Sequence, residues 1–224
     1  MQSKRQTVLD PLAVARVPTQ DRARARFDAV LTESEKLLEE SGLQGFSIPT
    51  IAERLEMTRG SIYSYFPTPH AILNELAKRH LDALETVLNE RFGEFAALSW
   101  RDAIRRVVDY AVDYHNAHSV ARTLILGGAV TDSSFRAQDM LMRRLGDLGR
   151  RIWANEQLSL PLEPDVATLV ADIGLSCFRR SFLEHGYITP DYRQAAVLAM
   201  QGYLEHYEVP ATSPIDSNVT TRKE

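Results

Sequence analysis

At 224 residues, 44% hydrophobic and 25% charged, the chain can bury one large core or two small ones, which excludes extended disorder and collagen-like repeats. Its single cysteine, Cys177, excludes an intrachain disulfide and cannot alone hold a zinc ribbon or an iron–sulfur cluster. The net charge of −4 says little about nucleic acid, because binding depends on where charge lies rather than on its sum.

No apolar run approaches the roughly 18 residues that cross a bilayer, and the N-terminus lacks the apolar segment of a secretion signal. A cytoplasmic protein without a membrane partner is expected. The charge is uneven. Residues 1–26 carry Lys4, Arg5, Arg16, Arg22, Arg24 and Arg26 against two aspartates, whereas residues 27–57 carry seven acids and two bases. Residues 1–20 read as a disordered basic arm.

Apolar residues recur at helical spacing and no sustained period-two run of β-branched residues occurs, so the fold class is all-α, with about nine helices. The first helix runs from about Asp21 to Ser41, with Phe27, Val30, Leu31, Leu37 and Leu38 on one face and Gly42 as its stop. A short second helix follows Ser47, a capping residue, and carries Ile51, Ala52 and Leu55 inward; a third starts at Thr58 and carries Ile62, Tyr63 and Phe66. After Pro69 comes a helix of about seven turns that ends near Gly93 to Leu98. Ser99 caps a fifth, reaching about His118. A short apolar piece, Val120 to Leu126, precedes a seventh helix at about Ser133 to Glu156. The eighth and ninth lie at about Pro164 to His185 and Pro190 to Glu208, and residues 209–224 form a polar, disordered tail. The division expected is an N-terminal three-helix domain over residues 21–70 and a larger helical domain over 71–208.

Ser47 to Phe66 is the segment that carries chemistry. Two short helices joined only through Glu56 and Met57 must cross steeply, which is a helix-turn-helix arrangement. Thr58, Arg59, Ser61, Ser64 and Tyr65 point away from the face that buries Ile62 and Phe66. A guanidinium at Arg59 can bond guanine O6 and N7 together in the major groove. Gly60 lets the helix backbone approach a duplex closely. Hydroxyls of Tyr63, Tyr65, Ser47 and Thr50 suit phosphate oxygens, and the nearby arm, ending in Arg26, can neutralise phosphates or enter a minor groove. The same pattern also fits two packed helices with a merely polar outer face.

The stretch Ile51-Ala52-Glu53-Arg54-Leu55-Glu56-Met57-Thr58-Arg59-Gly60-Ser61-Ile62-Tyr63-Ser64-Tyr65-Phe66 resembles the signature of TetR-type transcriptional regulators, over roughly residues 22–76. That resemblance implies a homodimeric DNA-binding regulator, usually a repressor. Its C-terminal helices would bind a small effector and its last two long helices would form the dimer. It places Thr58, Arg59, Ser61, Tyr63, Ser64 and Tyr65 toward the operator, and Ser47 and Thr50 on backbone. One departure is visible: where such proteins commonly carry a lysine opening the fourth helix, this chain has Pro69 followed by His70. A pendulum-like shift of the fourth helix is the implied transmission.

For the effector the candidates are Tyr110, Tyr114, His115 and His118, then Phe135, Met140 and Trp153, then Cys177, Phe178 and Phe182, a mixture suited to an aromatic or lipophilic molecule with a hydrogen-bonding group. Each also reads as simple core. His115 and His118 lie three apart on a helix, without a third ligand at helical spacing; no metal and no cofactor are expected. Enzyme motifs such as a glycine-rich phosphate loop, Gly-x-Ser-x-Gly or His-Glu-x-x-His are missing. The alternatives are a helical ligand carrier or interaction protein without DNA binding, and an α-helical enzyme.

Overall fold

Hydroxyl side chains start the short helices of the N-terminal third by accepting from backbone amides that have no helical partner. The computed structural model describes residues 11–128, 132–154 and 158–208. In it α1 spans Asp21–Gly45, α2 Ile48–Arg54, α3 Arg59–Tyr65 and α4 Pro69–Glu90. Ser47 accepts from the Thr50 amide, Thr58 from Ser61 and Thr68 from Ala71. Helical geometry in α1 breaks at the expected Gly42, whose φ of 63° and ψ of −169° suit glycine best. The link from α2 to α3 turns through Glu56 at φ 52°.

The long fourth helix expected from the sequence is in fact two. Arg91 leaves helical geometry at ψ 11°, and a separate α5, Phe92–Ala96, bends back so that Phe95 is fully buried. The described residues therefore hold ten α-helices rather than nine helices, beside a short 3-10 turn at Pro11–Ala13. Then follow α6, Trp100–Ala117, capped by Ser99, and a single turn α7, Ser119–Ala121, which runs into a π-helical turn at Arg122–Leu126. Next come α8, Asp132–Ile152, α9, Val166–His185, and α10, Pro190–Glu205. α9 begins two residues beyond Pro164 because the Asp165 side chain supplies the cap, accepting from the Thr168 amide. It ends at Gly186 in the left-handed region, φ 77°. Glu156 and the tail after Glu208 lie outside the described residues.

Two cores result. In the head, Phe27, Val30, Leu31, Ile51, Ile62 and Phe66 close around the start of α4, with Phe27 and Phe66 stacked at 4.6 Å. In the body, helices α6, α8, α9 and α10 enclose a second core with the end of α4. α4 serves both: Ala71, Ile72, Leu73, Leu76 and Ala77 pack in the head, Leu81, Leu84 and Leu88 in the body. Val120 and Leu124, from the segment after α6, also insert into the head core.

Candidate nucleic-acid interface and effector cavity

Ile62 and Phe66 are wholly buried, and their register fixes what α3 shows outward. Thr58, Arg59, Gly60, Tyr63 and Ser64 are exposed, Tyr63 to 43%. A Cβ added at Gly60 would meet nothing within the protein, so the open space it leaves faces outward. Hydroxyls stiffen this surface: Thr58 and Ser61 lie 2.8 Å apart, Ser64 donates to the Ser61 carbonyl at 2.7 Å, and Ser47 and Thr50 lie 2.7 Å apart at the start of α2. Arg54, by contrast, is held by Glu33 at 3.2 Å and Glu40 at 2.8 Å, and Arg79 is held by Asp28. Arg59 is exposed and joins none of the ion pairs found among the described residues.

Tyr65 differs from expectation. It stands three residues after Ile62, hence on the same side of the helix, and its half-buried ring meets Phe27 edge-on at 6.0 Å. The expectation that its side chain points fully away from the buried face is corrected by this packing of the ring. Arg22 and Arg26, one turn apart on α1, line an open groove with Thr58 and Ser61, so the basic turn of α1 flanks the start of α3. His70 is exposed in the first turn of α4. The arm is not free over its second half: the Arg16 amide donates to the Tyr65 carbonyl at 2.7 Å, Thr68 Oγ1 to the Leu12 carbonyl at 2.7 Å and Asn74 Nδ2 to the Ala13 carbonyl at 2.8 Å, with Ala13 buried. These bonds and that burial correct the disordered reading for residues 12–16. Lys4 and Arg5 lie outside the described residues.

Head and body meet at a histidine that the sequence reading passed over. His80, on α4, is buried; with its proton on Nε2 the ring donates to Glu35 Oε1 of α1 at 3.0 Å and accepts from the Tyr114 hydroxyl of α6 at 3.0 Å. Burial holds its pKa down, against the pull of Glu35. Burial also pushes the Tyr114 phenol up to about 12. The chain Tyr114 to His80 to Glu35 is satisfied with a neutral imidazole and links three helices. A signal was present: His80 stands four residues from both Leu76 and Leu84, on the buried face of α4.

The body holds a partly open cavity of about 90 Å³, several times the ~10–15 Å³ that one water needs on the same measure. Its wall is apolar, including Leu84, Ile104, Leu148 and Met200, with His115 and Trp153 as its polar-bearing members. Of the sequence candidates, Trp153, Phe178 and His115 line it. Tyr110 does not line it; half-buried against the body core, it donates to Glu94 at 3.2 Å. Tyr114 faces His80, and His118 is exposed, bonded to the Tyr114 carbonyl at 2.8 Å and stacked on the Tyr114 ring at 4.3 Å. Half-buried Cys177 packs beside the body core without lining the cavity, its thiol pKa pushed up by burial. Phe135 and Met140 are exposed, at 64% and 54%. His115 and His118 therefore face different surroundings, and no group of three metal-ligating side chains gathers among the described residues. No described helix is long and apolar enough to cross a membrane.

Residues 30–76 match the model of the bacterial regulatory proteins of the tetR family. No curated protein matches the sequence. Solved structures share the fold at low identity. A TetR-family transcriptional regulator from Streptomyces coelicolor is 18% identical, covers 81% of this chain and 99% of its own, and gives a TM-score of 0.61. Thermus thermophilus FadR, a TetR-family transcriptional repressor in complex with lauroyl-CoA, is 15% identical over 84% of this chain and 100% of its own, at 0.62. A tetR-family regulatory protein from Rhodococcus is 16% identical over 86% of this chain and 100% of its own, at 0.54. The matched segment, residues 30–76, forms the helix-turn-helix head, and the chain shares its overall fold with solved structures of TetR-family regulators.

Proposed function

We propose that the protein is a cytoplasmic homodimeric repressor that binds a near-palindromic operator and leaves it when a small apolar molecule occupies the body. The observation that carries this reading is the outward face of α3: an unpaired Arg59, a bare Gly60 and an exposed Tyr63 set on a closed core. Arg59 reads a base edge, while Ser47, Thr50, Thr58, Ser61, Tyr63, Ser64 and His70 take phosphate oxygens. Arg26 and Arg22 neutralise the adjoining backbone. Tyr65 supports the helix from below.

One recognition helix covers few base pairs, so two must act about one helical turn apart. The dimer face is assigned to α9 and α10, which leave Leu169, Leu183 and Leu198 exposed, the last two to 63% and 60%. The effector acts by binding one arrangement of the heads better than the other. α4, shared by both cores and bonded through His80 to α1 and α6, is positioned to carry the shift. The test is selection from a random duplex pool by the full chain. Enrichment of an inverted repeat with centres about 10 base pairs apart, or a multiple of it, supports the reading; no enrichment at low salt would leave a ligand carrier as the better account.

A further inference from the structure

Two of the unpartnered buried polar atoms belong to residues of the cavity wall. His115 is 2% exposed, yet its Nδ1 has no hydrogen-bond partner, and the indole Nε1 of Trp153, 7% exposed, has none either. Buried polar atoms are seldom left unpaired, since each costs about 1–3 kcal/mol. Both residues border the same cavity. The remaining wall consists of aliphatic and aromatic side chains and glycines, with no Lys, Arg, Asp or Glu among them.

We propose that this cavity takes an uncharged, largely apolar molecule bearing a hydroxyl or carbonyl oxygen that completes the hydrogen bonding of His115 and Trp153. The inference rests on the effector reading above and gives that effector a chemical class. An indole N–H only donates, so the guest must bring an acceptor oxygen. A neutral imidazole offers one donor and one acceptor, so a hydroxyl or a carbonyl suits it equally. The fold keeps this imidazole neutral: burial first, then the neighbouring charges of His80, Arg122 and His118, hold its pKa down to about 4. Arg122 does not border the cavity: its Nη1 bonds the His115 carbonyl at 2.8 Å, while its Nε is buried without a partner. A carboxylate or an ammonium entering here would lose its water and find no counter-charge, the costliest burial a guest can make.

Four eight-carbon probes of matched length decide the matter: octane, octan-1-ol, octanoate and octylamine, titrated calorimetrically into the full chain at pH 7.5, with wild type, His115→Phe, His115→Asn and Trp153→Phe. Octanol is expected to bind at least tenfold more tightly than octanoate or octylamine, and several-fold more tightly than octane. His115→Phe and Trp153→Phe each narrow the gap between octanol and octane while octane binding persists, and His115→Asn, which keeps a donor and an acceptor, retains part of it. Persistent octane binding also shows that each variant is folded. Octanoate or octylamine equalling octanol, or an unchanged gap in both ring variants, overturns the proposal while leaving an effector cavity standing. Failure of all four probes to bind overturns the effector reading itself, and this inference with it.

Discussion

Head and body use polar groups in opposite ways. Around α3 the hydroxyls of Ser47, Thr50, Thr58, Ser61 and Ser64 bond one another or the backbone, and Ser34 Oγ is the unpartnered polar atom of the head core among the described residues. The body encloses unpartnered atoms of His115 and Trp153 beside empty space. The head thus leaves a single small hydroxyl unpaired in its core among the described residues, at Ser34, and presents its other polar groups to water. The body leaves ring nitrogens unpaired at the wall of a cavity. A surface for a repetitive partner such as DNA can be built by local rules, whereas a cavity for one small molecule emerges only when distant helices pack together.

The sharpest way to break this comparison is to open a void in the head, which has no use for one. Phe66→Ala removes a fully buried ring stacked on Phe27. A loss of about 3–5 kcal/mol is expected, read as early melting of the head with the body transition retained. A smaller effect comes from acid and belongs to the body. The pKa of His115 is lowered in the fold to about 4 from an ordinary 6.5, so the folded state favours the neutral ring. That contribution is complete above about pH 6.5 and is lost as pH falls toward 4, by roughly 3 kcal/mol in all. Denaturant unfolding between pH 7 and 4 should show this slope, flattened in His115→Phe; an identical slope in the variant would remove the buried-imidazole account. His80, whose pKa is lowered by burial, adds to the loss in the same direction. The smallest effect is local to the reading helix. Thr58→Ala deletes the cap of α3 and should cost about 1 kcal/mol, measured by thermal melting of the full chain.

Much of the head was legible from the sequence because its determinants are local. Capping residues at Ser47 and Thr58, the glycine stop at Gly42 and the short link between α2 and α3 all act within a few residues. Tyr65 was misplaced for an equally local reason: its polar hydroxyl was weighed above its register with Ile62. The docking of residues 12–16 was invisible, since it depends on backbone bonds to Tyr65, Thr68 and Asn74 more than fifty residues away in two cases. In the body, aromatic content alone put Tyr110, Tyr114 and His118 near an effector, yet Glu94 and His80 draw the tyrosines elsewhere. Leu84, Ile104 and Met200 come from three separate helices to line the cavity, and no spacing within one helix could announce that.

The most direct test of the account is the affinity of the full chain for its selected duplex, measured by fluorescence anisotropy at two salt concentrations for wild type and Arg59→Ala. The account predicts steep weakening with salt and at least a tenfold loss in the variant, about 1–3 kcal/mol per reading helix, with discrimination relaxed at one position of each half-site and the melting temperature unchanged. Equal affinity and equal sequence preference in the two proteins would contradict it.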